Sequence, residues 1–502
     1  MNNIRLAPVL RTAAFLIVTA TGLFAQSATS GSVVGTISDP SGAVVPAASI
    51  ELVRSDTNAS QTQSSNAAGH FTFSNIRPGA YKATVQMPGF RTASVANIQV
   101  EVNKGYTLDV KLELGADTQV VEVTTAASAQ LQTVDAQLGN TITQDLISRL
   151  PTLQRNVTEL MNLQPGVVPV GNNLQSRTTG ALDDQNTVTV DGIDVTAVVT
   201  AVGTSIPTPQ DSVEEFRVTV SNPNSNLARA SGGQMTLVGR HGSNTMHASG
   251  YGFFQNSALN SNTWDNNTAK VAKPDISDKR YGGRWGGPLR KDKTFLFANY
   301  EARDFDQVQQ VTRTVPTDTL KAGVLRFRDA AGSVNSFDLR TSRQCGVTGD
   351  QLCDPRGLGQ SPSTKAQLAL MPASNLNSGG DGLNTQSFLA NIATPLQDRY
   401  VVGRLDHTFN EKLTFTGSYT YFRRIQVGVG DISLKDQVSA ISNPQRGTLA
   451  TGAFNWMIKP NLINVSRFGF VRDVGPSQAT PPSTAARQIG RASCRERVSL
   501  VV

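Results

Sequence analysis

The chain of 502 residues is poor in cysteine: three in all, with no C-x-x-C pair and no histidine near Cys345 or Cys353. That excludes a disulfide-dense scaffold and a zinc ribbon. Charged residues make up 17%, against roughly 25% in ordinary soluble domains. The formal charge is +7. Arg5 and Arg11 in the leader supply two of those charges, and the last fourteen residues a net two, which leaves +3 for the rest. No nucleic-acid partner follows from so small an excess. After the N-terminus no apolar run reaches the roughly 20 residues of a membrane-spanning helix. If the chain lives in a membrane, it does so as a β-barrel. Its four histidines (His70, His241, His247 and His407) form no H-E-x-x-H. A G-x-S-x-G elbow, a P-loop and a G-x-G-x-x-G are also missing, so no enzyme class is supported.

What is present begins with a leader. Arg5 and Arg11 precede the short apolar run Thr12 to Phe24, then Ala25 and a Ser/Thr-rich stretch. This reads as a secretory signal over residues 1–25, cleaved after Ala25. In an exported chain Cys345 and Cys353 are candidates for a loop-closing disulfide.

Residues 31–115 read as short strands separated by Asp39-Pro40-Ser41-Gly42, Arg77-Pro78-Gly79 and Met87-Pro88-Gly89, the pattern of a small β-sandwich. Residues 118–245 change character. Leu146, Ile147 and Leu150, then Val157, Leu160, Met161 and Leu163, have helical spacing; Val188 to Val195 is a hairpin broken at Asp191-Gly192; Val213 to Val220 alternates as a strand. This predicts a small α/β unit. Asp183-Asp184, Asp191 and Asp194 read as turn residues, and Arg229 and Arg240 as ion-pair partners or lumen-lining groups.

From 246 to 487 seven strands are expected, at 246–255, 280–288, 294–303, 398–409, 412–424, 447–458 and 462–473. Leu413, Phe415, Gly417, Tyr419 and Tyr421 alternate with Thr414, Thr416, Ser418 and Thr420, giving one apolar and one polar face. Long and short connections alternate, as in outer-membrane barrels with short periplasmic turns and long outer loops. Tyr251, Trp285, Tyr300, Tyr421 and Trp456 near strand ends suit interfacial girdles. The fold class expected is mainly β: a transthyretin-like sandwich, an α/β plug, then a partial, unclosed antiparallel transmembrane barrel.

Two resemblances add to this. Gly35 to Gly42, Gly69-His70-Phe71-Thr72-Phe73, Ile76 to Tyr81 and Pro88-Gly89-Phe90 resemble the carboxypeptidase regulatory-like domain, which has a carbohydrate-binding-like fold. Ser212 to Val218, Asn226 to Gly233, His247 to Gly250, Phe253 to Asn260 and Gly282 to Phe295 resemble TonB-dependent outer-membrane receptors of the Oar-like branch. The resemblance implies uptake of a large, scarce solute (siderophore, glycan, cobalamin or peptide) driven by a TonB-type periplasmic energiser from the inner membrane. It places the TonB box at Gln119, Val120, Val121, Glu122, Val123 and Thr124, a segment that can act by strand addition. It implies outer-membrane lipid as surroundings, and no cofactor. The alternative is a surface adhesion or glycan-binding protein that uses the sandwich. Residues 489–502 look like a translated sequencing adapter, so the chain is expected to be a C-terminally truncated fragment: a plugged receptor barrel needs about 22 strands.

Overall fold

The computed structural model describes residues 29–475, apart from 116–119, 124–135, 151–154, 171–174, 198–203, 224–230, 339–340, 344–350, 353, 358–364, 366–367, 370, 377, 429–440 and 460–461, together with 478–479 and 497–501. The leader and both Cys345 and Cys353 lie outside these residues.

The N-terminal unit contains β1 (Gly31–Ser38), β2 (Ser49–Arg54), β3 (Ser60–Ser64), β4 (His70–Ile76), β5 (Gly79–Gln86), β6 (Thr92–Val100), β7 (Gly105–Thr107) and β8 (Val110–Lys111). One sheet runs β4-β1-β7, with β8 also on β1. The other runs β3-β2-β5-β6 and ends on a further strand, β9 (Val120–Val123). Strict alternation drives the sandwich. In β1 every second residue is buried, so Val33 and Ile37 meet Ile50, Leu52, Phe71, Phe73, Val85 and Ile98 between the sheets. Each such side chain contributes about 1.5–3 kcal/mol on full burial. The sandwich's C-terminal stretch is divided among β6 and the short β7 and β8.

The next unit contains β10 (Leu138–Thr143), helix α1 (Gln144–Arg149), a 3-10 turn Val157–Leu163, the hairpin β11 (Val167–Val170) and β12 (Gln175–Thr178), then β13 (Thr187–Val190), β14 (Ile193–Asp194), β15 (Val213–Ser221) and β16 (Gln234–Gly239). Its main sheet runs β10-β15-β16-β13-β14, with only β13 and β16 parallel. The helical stretches fall where the apolar spacing predicts, with Ile147, Val157, Leu160 and Met161 buried on the sheet. Asp191 and Gly192 both take positive φ (48° and 80°), which the two-residue hairpin requires.

The large sheet runs β17 (His247–Asn256), β18 (Ser277–Arg290), β19 (Thr294–Asp306), β24 (Leu396–Asn410), β25 (Leu413–Gly428), β26 (Ile441–Lys459) and β27 (Leu462–Val474), each strand antiparallel to its neighbour and the sheet open. Arg497–Val501 lies on β27 over Gly469–Asp473. The long connection 307–395 is not structureless: β20 (Val308–Pro316) pairs β23 (Thr385–Ala393), and β21 (Val324–Arg328) pairs β22 (Val334–Asp338). No helix among the described residues is long and apolar enough to cross a membrane.

The two faces of the large sheet differ as the alternation predicts. Asp398, Tyr400, Val402, Arg404 and Asp406 are buried on the concave side, whereas Val401 and Leu405 are exposed. Tyr300, Tyr419, Phe454, Trp456 and Phe468 also stand exposed outward. Tyr251 departs from the expectation of a membrane girdle. It lies opposite Gly282, and its hydroxyl donates to Glu301 at 2.8 Å on the polar side, so it is a lumen residue.

Candidate partner-binding strand and plug seat

Three seams position the chemistry. The first joins plug to barrel wall. Asp191, held by its hairpin, accepts from the Gly239 backbone N–H at 3.0 Å and the Ser418 hydroxyl at 2.9 Å, and it faces the Arg404 guanidinium at 3.4 Å. Asp211 is clamped between Arg155 of the plug (2.7 Å) and Arg284 of β18 (3.0 Å), while Arg155 lies 4.3 Å over the Phe253 ring. Asn299 donates to the Ser212 hydroxyl at 2.7 Å. Apolar contacts complete the seat. Leu449 of β26 is wholly buried in the plug's own core cluster, and a Cβ at Gly469 or Gly447 would come within 2.5 Å of Ile193 or Ile206. Glycine at these two positions leaves the wall backbone open to the Ile193 and Ile206 side chains of the plug.

The second seam joins sandwich to plug. Arg54, at the end of β2, pairs with Asp56 at 2.9 Å. His241, just after β16, sets Nε2 2.8 Å from Asp56 and Nδ1 against Glu214. Burial and neighbouring Arg54 disfavour the imidazolium, but Glu214 and Asp56 outweigh them and hold His241 above its ordinary value. Burial likewise opposes charge on Asp56, yet His241 and Arg54 draw it down to about 2; Glu214 is lowered in the same way. Glu215 behaves oppositely. Burial pushes it up to about 8, although its carboxylate accepts the Val102 backbone N–H at 2.9 Å. Burial and nearby Arg284 bring Arg240 down to about 10.

The third seam joins sandwich to barrel. Arg77 pairs with Asp406 at 2.8 Å and donates to the Thr416 hydroxyl. Asn75 donates to Asn455 at 3.1 Å, and Asn58 to Asp292 at 3.0 Å. Asp292 sits in the short turn between β18 and β19, so the sandwich rests on the short-turn end of the sheet.

Of the box residues, Val120–Val123 form β9, while Gln119 and Thr124 lie outside the described residues. β9 runs parallel to β6, with Thr92 opposite Val120, Ala93 opposite Val121, Ser94 opposite Glu122 and Val95 opposite Val123. Asp191 proves to be both turn residue and wall contact. Arg240 is half-buried beside Asp211 and Arg284 at the plug–barrel seam, and Arg229 lies outside the described residues. Nothing in the sequence singled out the Arg54–Asp56–His241–Glu214 group, because its members are spread over 188 positions and share no motif. No metal-holding group of His, Cys, Asp and Glu occurs among the described residues.

Residues 238–495 match the family described as outer membrane beta barrel domain, and residues 32–113 match the carboxypeptidase regulatory-like domain. The chain is 25% identical over 316 residues to the TonB-dependent transporter Oar of Myxococcus xanthus, an alignment covering 58% of this chain and 28% of that protein. The chain therefore spans less than a third of the length of this curated relative. Among solved structures, the outer membrane transporter YddB of Escherichia coli matches at 12% identity and a TM-score of 0.42, over 67% of this chain and 39% of that one. The ferric enterobactin receptor PfeA of Pseudomonas aeruginosa (a mutant form) matches at 12% identity and 0.39, over 67% and 40%. With more than half its length matched to the barrel family, an apolar outer face, a polar inner face and a regulatory-like sandwich beneath, the chain belongs to the outer-membrane β-barrel family and carries a carboxypeptidase regulatory-like domain.

Proposed function

We propose that the protein takes up a large, scarce solute across the outer membrane, driven from the inner membrane through a TonB-type periplasmic energiser that grips Val120–Val123. The single observation that carries this reading is the plug seat. A separately built α/β unit lies against the polar inner face of a sheet whose outer face is apolar, held by Asp191, Asp211 and the Gly447/Gly469 approach. Such a seat is polar in part, so it can be broken and remade, as a movable plug requires. The short-turn end carries the sandwich and β9, which supports placing the grip on the periplasmic side. Siderophore, glycan, cobalamin and peptide are the solute classes proposed.

The adhesion reading loses support from burial. Phe71, Phe73 and Tyr81, the aromatics that a glycan platform in the sandwich would use, are 3%, 0% and 6% exposed and belong to its core. The test is Val121→Pro at the chromosomal locus, with uptake assayed on a labelled ferric catecholate, cyanocobalamin, an oligosaccharide and a peptide. Proline removes the backbone donor and disfavours strand pairing. The expected result is that accumulation of the transported solute falls at least tenfold while surface binding is kept. Unchanged uptake overturns the assignment of the box.

A further inference from the structure

β9 lies beyond residues 32–113, the extent of the regulatory-like match, yet it is built into that domain's five-stranded sheet. Without it β6 would be the sheet edge, a row of unpaired backbone groups that invites strand addition. Every described residue of the box is consumed in this pairing. The sandwich itself is fastened twice, to the plug through Arg54, Asp56, His241 and Glu214 and to the barrel wall through Arg77 and Asp406. An energiser that added to β9 in place would therefore pull on the sandwich, and through Arg77 on the wall, before any tension reached the plug.

We propose that the N-terminal sandwich is the resting dock of the box: edge strand β6 stores Val120–Val123 by parallel strand addition, and the segment leaves β6 to meet the energiser. This rests on the box reading above. The ladder suits storage, because four parallel rungs form a short pairing of the kind that opens by local fluctuation without unfolding the sandwich. The sandwich thereby governs how often the box is available, which gives the domain a part in coupling that needs no ligand of its own.

The test locks the dock. In a background with Cys345, Cys353 and Cys494 changed to Ser, Ser94→Cys and Glu122→Cys are introduced together, since these positions are opposite in register. Because Ser94 is only 4% exposed, the purified protein is bridged by direct oxidation of the facing cysteines to a disulfide cleavable by reductant, and titrated with the purified periplasmic domain of the source bacterium's TonB-type protein. Expected are efficient bridging of this pair, little bridging of the off-register pair Gln99→Cys with Glu122→Cys, at least tenfold weaker binding when bridged, and recovery on cleavage. Absence of bridging, or unchanged or tighter binding by the bridged protein, overturns storage. Val121→Pro separates the two ideas. If it weakens binding while the bridge does not, the box stands and the dock falls; if Val121→Pro has no effect, the box reading falls with it.

Discussion

The sandwich and the plug are neighbours, but they bury their cores in different ways. The sandwich core is drawn entirely from residues 33–112, and its two sheets cover each other. The plug core is completed by Leu449 from the barrel wall, with Val471 packed against it. Around these aliphatic contacts its seat on the wall is made by carboxylates, guanidinia and hydroxyls. A unit that closes its own core stays folded wherever it is carried. One that borrows a wall is stable only when seated, and this suits a part that must move.

Three experiments press on that contrast. The largest effect is expected from Phe73→Ala, which empties a fully buried site inside the sandwich. Residues 29–115 expressed alone should melt cooperatively, and the substitution should cost about 3–5 kcal/mol in urea titrations. A fragment that does not fold without the barrel would erase the distinction. Next comes Gly469→Leu, which drives a side chain into Ile193 from the wall side. About 1–3 kcal/mol of overpacking should fall on the plug alone. Hydrogen exchange should quicken in Thr187–Asp194 and stay unchanged in β1 and β4. Equal loss of protection in the sandwich would show that the two units are one cooperative body.

The smallest effect is the pH response of the sandwich–plug seam. His241 is raised, so its stabilisation is complete below its unfolded value of about 6.5 and is lost as pH rises through its folded value. Glu215 adds to this in the same direction: burying its carboxylate becomes costly from about 4.5 upward until it ionises at about 8. Asp56 and Glu214 stabilise above their ordinary values and lose that contribution as pH falls through their lowered ones, about 2 for Asp56. Backbone amides of β15 and β16 beside the seam should therefore exchange faster at roughly pH 9 than at pH 6 beyond the intrinsic rate change, and His241→Ala should reduce that difference to the part owed to Glu215, at a cost of about 1 kcal/mol. The isolated sandwich should show no such slope, and an identical slope in it would place the titration elsewhere.

The sequence made some of this legible and hid the rest for definable reasons. β24 and β25 could be read because a period of two is local and their faces differ in chemistry. β3, Ser60–Ser64, could not, because SQTQS has no apolar face to betray it. The strands within 307–395 carry no clear period of two: the valines of β20, Val308, Val311 and Val315, fall three and four residues apart. Tyr251 faces the lumen because the β17–β18 register sets it opposite Gly282, a pairing that aromatic identity in the sequence does not reveal. The TonB-box segment was found by resemblance, but only Val120–Val123 of it can be placed.

By itself the sequence determined which stretches become strands, which way their side chains face, and that the Asp191-Gly192 pair turns a hairpin. These depend on alternation and on φ preferences that act over a few residues. Only the tertiary structure decided that Asp191 also holds the wall, that His241 joins two domains, and that β9 rests on β6. Each of those needs groups far apart in the chain to meet, and backbone pairing and ion pairs leave no periodic mark in a sequence.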